Sequence, residues 1–133
     1  MSSQRLSLLL AVLEVRCGID TSTSDVFAAS AGGLPALEPG VDLALALAIA
    51  SAARGFAMAR AVACVGEVGL AGELRGVAGL GRRVREAQRL GARAVIVPRS
   101  GELEEVAGLR IERCGTLGEA LEAARRHEVA KVR

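Results

Sequence analysis

Leu6, Leu9, Leu10 and Leu13 recur at i, i+3, i+4 and i+7 near the start of the chain, and Leu8 and Val12 widen the stripe. That period predicts a helix over Ser2–Arg16, capped by Ser2 or Ser3 and closed at Gly18, where a left-handed residue is expected. So broad an apolar surface predicts burial on two sides, one of them against another subunit. Ile19–Ser24 reads as a turn, Asp25–Ala31 as a strand ending at Gly32-Gly33, and the following residues as a loop through Pro35 to Glu38. Val41–Arg54 alternates large and small residues, a strand signal if taken alone. Helix is the better reading, because the run exceeds ordinary strand length, its small residues are alanines and Pro39 suits a helix start.

Ala61–Val68 reads as one buried strand, followed by a turn at Gly69–Gly72, a second short strand and a helix from Gly79 to Leu90. In that helix Leu80, Val84, Ala87 and Gly91 share one face, and Arg82, Arg85 and Arg89 share the other. Ala92–Val97 is a further buried strand, stopped by Pro98. The acidic ELEEV segment predicts a single helical turn, and Leu109–Cys114 alternates as an edge strand does. Thr116-Leu-Gly-Glu119 is a capping box that opens a last helix reaching about Arg126. No repeat or linker interrupts the chain, so residues 1–133 form one domain, with a core over about 4–124 and a frayed basic tail over 125–133.

Half of the chain is apolar, almost all of it aliphatic: Phe27 and Phe56 are the only aromatic residues. This favours a folded domain and removes base stacking on aromatic rings from any account of nucleic-acid binding. The net charge is only +2, but from Arg75 to Arg99 seven arginines stand against one acid, and from Gly101 to Glu122 six acids stand against two arginines. Such asymmetry predicts a polyanion-binding face, or acidic and basic surfaces that meet between subunits. Cys17, Cys64 and Cys114 are odd in number and lack metal-ligand spacing, which points to a reducing cytoplasm without disulfides or zinc. Neither apolar run, Leu6–Leu13 or Val41–Ala53, is long enough to span a bilayer, so both read as core helices and no membrane is involved.

Five glycines punctuate the stretch VGEVGLAGELRGVAGLGRRVR (Val65–Arg85) before its helix. This stretch resembles the segment of Lon proteases that carries their catalytic lysine. Gly66-Glu67, Gly72 and Gly79-Leu80 fall on that pattern, and the lysine position is Gly81. Together with RLSLLLAVLE (Arg5–Glu14), EPGVDLALALAIASA (Glu38–Ala52) and the closing TLGEALEAA, it is most similar to the Lon-protease-like domain at the C-terminus of the bacterial RadA/Sms family of DNA-repair ATPases. The resemblance implies an α+β fold of the Lon proteolytic-domain type, with a βαβ unit like that of ribosomal proteins and a mixed sheet packed by helices. The serine of the Lon dyad would fall at Gly40, after Pro39. Both dyad positions are therefore glycine, and the sole lysine of the chain is Lys131. A Ser–Lys dyad needs an amine of lowered pKa beside the hydroxyl, and arginine cannot replace it. His127, the one histidine, lies in the tail and offers no base for a serine or cysteine nucleophile. No catalytic residue is expected.

What the family implies in place of hydrolysis is DNA repair and recombination, with this domain assembling into a hexameric ring and touching DNA. Arg75, Arg82 and Arg83 surround the vacant lysine position and are the first candidates for phosphate contacts; Arg85 and Arg89, on the outer helix face, come next. Arg5, Arg16, Arg54 and Arg99 are further candidates for a pore or cleft lining. Binding to single- or double-stranded DNA would be largely independent of sequence. A recombinase is a possible protein partner. No cofactor is expected in this chain: the ATP, magnesium and zinc of the family belong to N-terminal domains that precede such a segment, which leaves an excised domain, the favoured reading, or a stand-alone relative. Two other readings remain open. A pure oligomerisation scaffold for an ATPase domain would form the ring without retaining DNA, and a residual Ser–Lys peptidase would be labelled by serine-reactive probes.

Overall fold

The computed structural model describes residues 3–20, 38–57 and 61–127. Helix α1 (Ser3–Cys17) ends at Gly18, whose φ of 67° is the left-handed closure its glycine permits. A single 3-10 turn (Pro39–Val41) leads into helix α2 (Asp42–Arg54). Strand β1 (Val62–Cys64) comes next, then a hairpin of β2 (Glu67–Val68) and β3 (Leu74–Arg75), helix α3 (Leu80–Arg89), strands β4 (Ala94–Pro98) and β5 (Arg110–Cys114), and helix α4 (Leu117–Arg126). Helix, not strand, is the outcome for the alternating Val41–Arg54 run. Alanine propensity and the proline at its start prevail there over period-two patterning. The strand expected over Asp25–Ala31 lies outside the described residues, as does the tail from residue 128 onward.

The sheet order is β1-β4-β5, parallel throughout, with Val62 opposite Ala94 and Ala94 opposite Arg110. β4 sits at the centre and is buried along its whole length, as its continuous AVIVP run requires of a strand covered on both faces. Alternate residues serve different layers. Ile96, with Cys64 and Cys114, faces a core built by Leu9, Leu13, Leu43, Leu47 and Leu117 from α1, α2 and α4. Val95 and Val97 face the opposite way, against Leu80 and Val84 of α3, with Leu103 and Val106 joining from the loop after β4. The broad stripe of α1 is used within the domain: Leu9, Val12 and Leu13 are buried, and Leu6, Leu8 and Leu10 pack beside them.

Four expectations need correction. The described strands form a parallel sheet plus a separate two-stranded antiparallel hairpin, instead of one mixed sheet. The run Ala61–Val68 is two strands in different sheets, because at Gly66 the backbone leaves β4 and bonds to α2: Gly66 N–H donates to Gly40 O (3.1 Å) and Leu43 N–H donates to Gly66 O (3.0 Å). The ELEEV segment is irregular and forms no helical turn. Five residues with three like charges cannot offset the cost of helix nucleation, and burial of Leu103 and Val106 together with an Arg113 Nη2 bond to Leu103 O (2.8 Å) hold it open. Finally, Arg125 and Arg126 belong to α4 and not to a frayed tail.

Candidate nucleic-acid interface

Glycines make the close contacts from which the site is built. A Cβ at Gly66 would stand 3.2 Å from Pro98 Cγ and 3.4 Å from Leu43 Cδ2, so only glycine lets β1 leave the sheet against the start of α2. The hairpin turn is closed by Gly69 N–H to Glu73 O (2.9 Å) and Gly72 N–H to Gly69 O (2.9 Å). It is fastened to α4 by Leu117 N–H to Gly72 O (2.8 Å) and Leu74 N–H to Gly115 O (2.9 Å). The helix after it is capped as the sequence predicts: Thr116 Oγ1 accepts from Glu119 N–H at 3.1 Å. The reciprocal half is displaced by one residue, since Glu119 Oε2 accepts from Gly115 N–H at 3.2 Å. That bond, and the neighbouring Arg99, hold the Glu119 carboxyl below its ordinary pKa.

Gly40 and Gly81, the positions that the resemblance expects to hold the Lon dyad, open onto different arginines. At Gly40, buried in the 3-10 turn, a Cβ would lie 3.0 Å from Arg83 Nη1 and 3.6 Å from Val77 Cγ1. Arg83 is anchored there by Ala78 O (3.0 Å from Nε) and by an ion pair with Glu38. At Gly81, in the first turn of α3, a Cβ would meet Arg85 Nη1 at 3.3 Å, beside the acidic loop 102–107. Lys131 lies outside the described residues. Among those described, no three His, Cys, Asp or Glu side chains come together as metal ligands. Burial pushes the Cys64 thiol up to about 12, with Cys114 adding to the shift. Burial also raises Cys114 and Cys17, so none of the three is held as a reactive thiolate.

The arginines named from the sequence fall into three conditions. Arg5 is committed to structure. Its Nε donates to Asp42 Oδ1 at 2.6 Å and its Nη2 pairs with Oδ2. Val68 N–H also donates to Asp42 Oδ2 (3.0 Å), and Glu67 stands 3.6 Å from Arg5. Asp42 is 2% exposed, and the hydrogen bond to it raises the Arg5 pKa above its ordinary value. Arg75, Arg89 and Arg99 are exposed but hold surface carboxylates: Glu73 at 3.2 Å, Glu86 at 2.5 Å and Glu119 at 2.7 Å. The Arg89 bond lowers the Glu86 pKa. Glu73 is lowered as well: burial opposes the shift, but bonds from its own backbone N–H, Arg75 and Ala71 N–H outweigh it.

Arg82 and Arg85 form the third group. Both are exposed on α3, and neither makes an ion pair or side-chain hydrogen bond among the described residues. Arg93, just beyond the helix, is in the same condition; it escaped notice in the sequence because it belongs to no motif. The spacing of 82, 85 and 89 puts three guanidinium groups on one helical face. The start of the helix adds to the positive potential. Gly79 provides no side-chain cap and no acid occupies the first turn, so the leading N–H groups and the dipole of α3 remain uncompensated. Behind this face an open groove of about 510 Å³ runs between β1 and α3, lined by Ala63, Val65, Ala87 and the exposed Leu90.

Arg16 and Arg54 are elsewhere, on the α1/α2/α4 side of the sheet, in a cleft with Arg125 and Arg126. From the sequence the latter two are both the end of the capped last helix and the start of the basic tail; the structure sets them in the last turn of α4.

The family described as subunit ChlI of Mg-chelatase matches residues 26–101, more than half of the chain. Proteins named DNA repair protein RadA are similar over nearly all of it. That of Mycolicibacterium smegmatis is 38% identical over 130 residues, covering 98% of this chain and 28% of the relative. The Streptococcus pyogenes protein is 38% identical over 121 residues (90% and 27%), and the Aquifex aeolicus protein 40% over 118 residues (89% and 26%). The chain thus spans little more than a quarter of the length of these relatives.

Proposed function

The chain belongs to the ChlI domain family, in the branch it shares with the RadA DNA repair proteins, and from that premise we propose that it is a non-hydrolytic, DNA-contacting domain of a repair and recombination factor. Contact is made with the phosphate backbone along α3. The observation that carries this reading is the pair Arg82 and Arg85: exposed and unpartnered among the described residues, Arg82 in the first turn of a helix whose dipole is uncompensated and Arg85 on the same face one turn further on. Charge-assisted bonds to phosphate oxygens are what such guanidinium groups make best. Arg75 and Arg89 extend the surface. Their carboxylate partners are solvent-exposed, and ion pairs of that kind are worth roughly 0–1 kcal/mol, little enough for a phosphate to displace them. Arg83 is held at Gly40 by Glu38 and positions the loop more than it reaches outward.

Hydrolysis has no place in this account. The position expected to carry a serine is glycine, its open side is filled by a guanidinium that stays protonated, and the position expected to carry the lysine is glycine as well. The domain assembles into a ring, a hexamer by resemblance, so that contacts of about 10⁻⁴ to 10⁻⁶ M per site act together on one strand. ATP, magnesium and zinc belong to other parts of the longer protein, and a recombinase is a partner of the assembly. The site acts in the cytoplasm.

Fluorescence anisotropy with a labelled oligonucleotide at low salt tests the interface, read beside light scattering for the assembly. Charge reversal at Arg82→Glu and Arg85→Glu is expected to abolish DNA binding while leaving the oligomer intact. Wild-type protein that forms a ring yet never retains DNA would instead establish the scaffold reading. That alternative has its own support in the exposed Val15, Leu70 and Leu90 side chains and in the self-neutralised Arg75, Arg83 and Arg89.

A further inference from the structure

Three helices end at one place. α1 stops at Cys17, α2 at Arg54 and α4 at Arg126, and their last turns carry Arg16, Arg54, Arg125 and Arg126. Helix C-termini attract cations, so each arginine has a local reason to be there. For Arg54 that reason is a direct hydrogen bond to a helix end. Arg54 Nη2 donates to Gly18 O at 3.1 Å and Cys17 O at 3.5 Å. Arg126 reaches instead to Glu112 at 2.7 Å, and Arg125 lies over the Phe56 ring at 4.8 Å. Arg16 packs its stem near Gly72 and makes no hydrogen bond or ion pair among the described residues.

Between these helix ends lies an open cleft of about 640 Å³, with Leu121 and Cys17 among its lining residues. That volume is ordinary for a small-ligand pocket. Four arginines line it, its one acidic lining residue is Glu122, and Glu112 holds Arg126 from outside. Guanidinium forks match phosphate oxygens bidentately, and their planes stack on flat rings. The cleft shares no lining residue with the α3 face and lies on the other side of the sheet. We infer that this cleft binds a terminal phosphate group, carried either by a free nucleotide or by the phosphorylated end of a DNA strand. The arginines take the phosphate, and Leu121 with the guanidinium planes accepts a sugar and base in a cleft that no aromatic ring lines among the described residues. This assignment is independent of the α3 interface and stands or falls without it.

Isothermal titration of the purified chain with pyrophosphate, with AMP and with a short oligonucleotide, 5′-phosphorylated or 5′-hydroxyl, tests the site. The expected result is saturable binding of at least one phosphate-terminated ligand in preference to the hydroxyl oligonucleotide. That binding should weaken roughly tenfold or more in Arg16→Ala and in Arg125→Ala, the loss of a charge-assisted contact. Arg16→Ala removes no intramolecular bond among the described residues, so an unchanged melting temperature separates loss of the site from loss of the fold. Preference for AMP or for the phosphorylated end identifies the source of the phosphate. If the 5′-phosphorylated oligonucleotide binds no better than its hydroxyl twin and neither pyrophosphate nor AMP binds, or if binding is the same in both single variants as in wild type, the assignment is wrong.

Discussion

On the α1/α2 side of the domain, Arg5 reaches a carboxylate that is 2% exposed, while on α3 Arg82 and Arg85 stand in solvent with no ion pair among the described residues. The same side chain has opposite consequences in the two places. Burying a carboxylate is costly unless a counter-ion and hydrogen bonds offset the lost solvation, and Asp42 has both: the Arg5 fork and the Val68 N–H. The cluster joins α1, the start of α2 and the β2–β3 hairpin, elements 37 and 26 residues apart in sequence. Arg82 and Arg85 hold nothing together among the described residues. A charge that contributes so little to the fold and faces outward is free to be used on a partner.

This contrast can be broken at its strong end first. Asp42→Ala should cost about 3–5 kcal/mol, the toll of leaving a half-buried guanidinium without its partner, measured by urea denaturation of the otherwise unchanged chain. Adding Arg5→Met to that variant should recover a large part of the loss, because the unpaired charge is then gone as well. A loss below about 1 kcal/mol for Asp42→Ala would mean the cluster is not what ties the three elements together. Gly66→Ala comes next, at about 1–3 kcal/mol, since the new methyl would crowd Pro98 and Leu43 in a packed interior. Its check is the thermal melting curve.

A smaller effect appears with pH. Glu112 lies at the edge of the sheet between Arg126 (2.7 Å) and Arg110 (2.8 Å), and the Arg126 hydrogen bond holds its carboxyl below the ordinary glutamate range. A carboxyl lowered by folding contributes stability that is fully present above its unfolded value, about 4.3, and is lost as pH falls through the lower folded value. Glu112→Gln should therefore cost about 1 kcal/mol at neutral pH and flatten the acid limb of the stability profile below about pH 4. An identical acid limb in the variant would remove Glu112 from the account.

Much of this architecture is legible along the chain, because it is local. The Thr116 cap, the apolar face of Leu80 and Val84, the closure at Gly18 and the buried run of β4 each follow from residues within a few positions of one another. What the chain hides is pairing at a distance. Nothing around Asp42 announces that Arg5 will meet it, and a lone acid opening an apolar helix reads as a first-turn residue. The break at Gly66 is hidden for a related reason: an apolar run looks continuous whether or not its backbone changes partners midway. Hydrophobic pattern also says little about which exposed arginines keep a carboxylate. Arg75, Arg83 and Arg89 look like Arg82 and Arg85 until their neighbours are placed.

The weak end of the contrast is also where function is proposed to lie. Replacing Arg82 and Arg85 together with alanine should move stability by no more than about 0.5 kcal/mol, as expected of unpartnered surface residues. The most direct measurement is the salt dependence of DNA affinity, compared between the wild-type chain and this double variant. Each phosphate contact adds about 0.7 to 0.9 to the slope of log affinity against log salt. We expect a wild-type slope of several units and a slope shallower by about 1.4 to 1.8 in the variant. The same slope in both proteins, or no DNA binding by wild type even at low salt, would contradict the claim that α3 is the face that meets DNA.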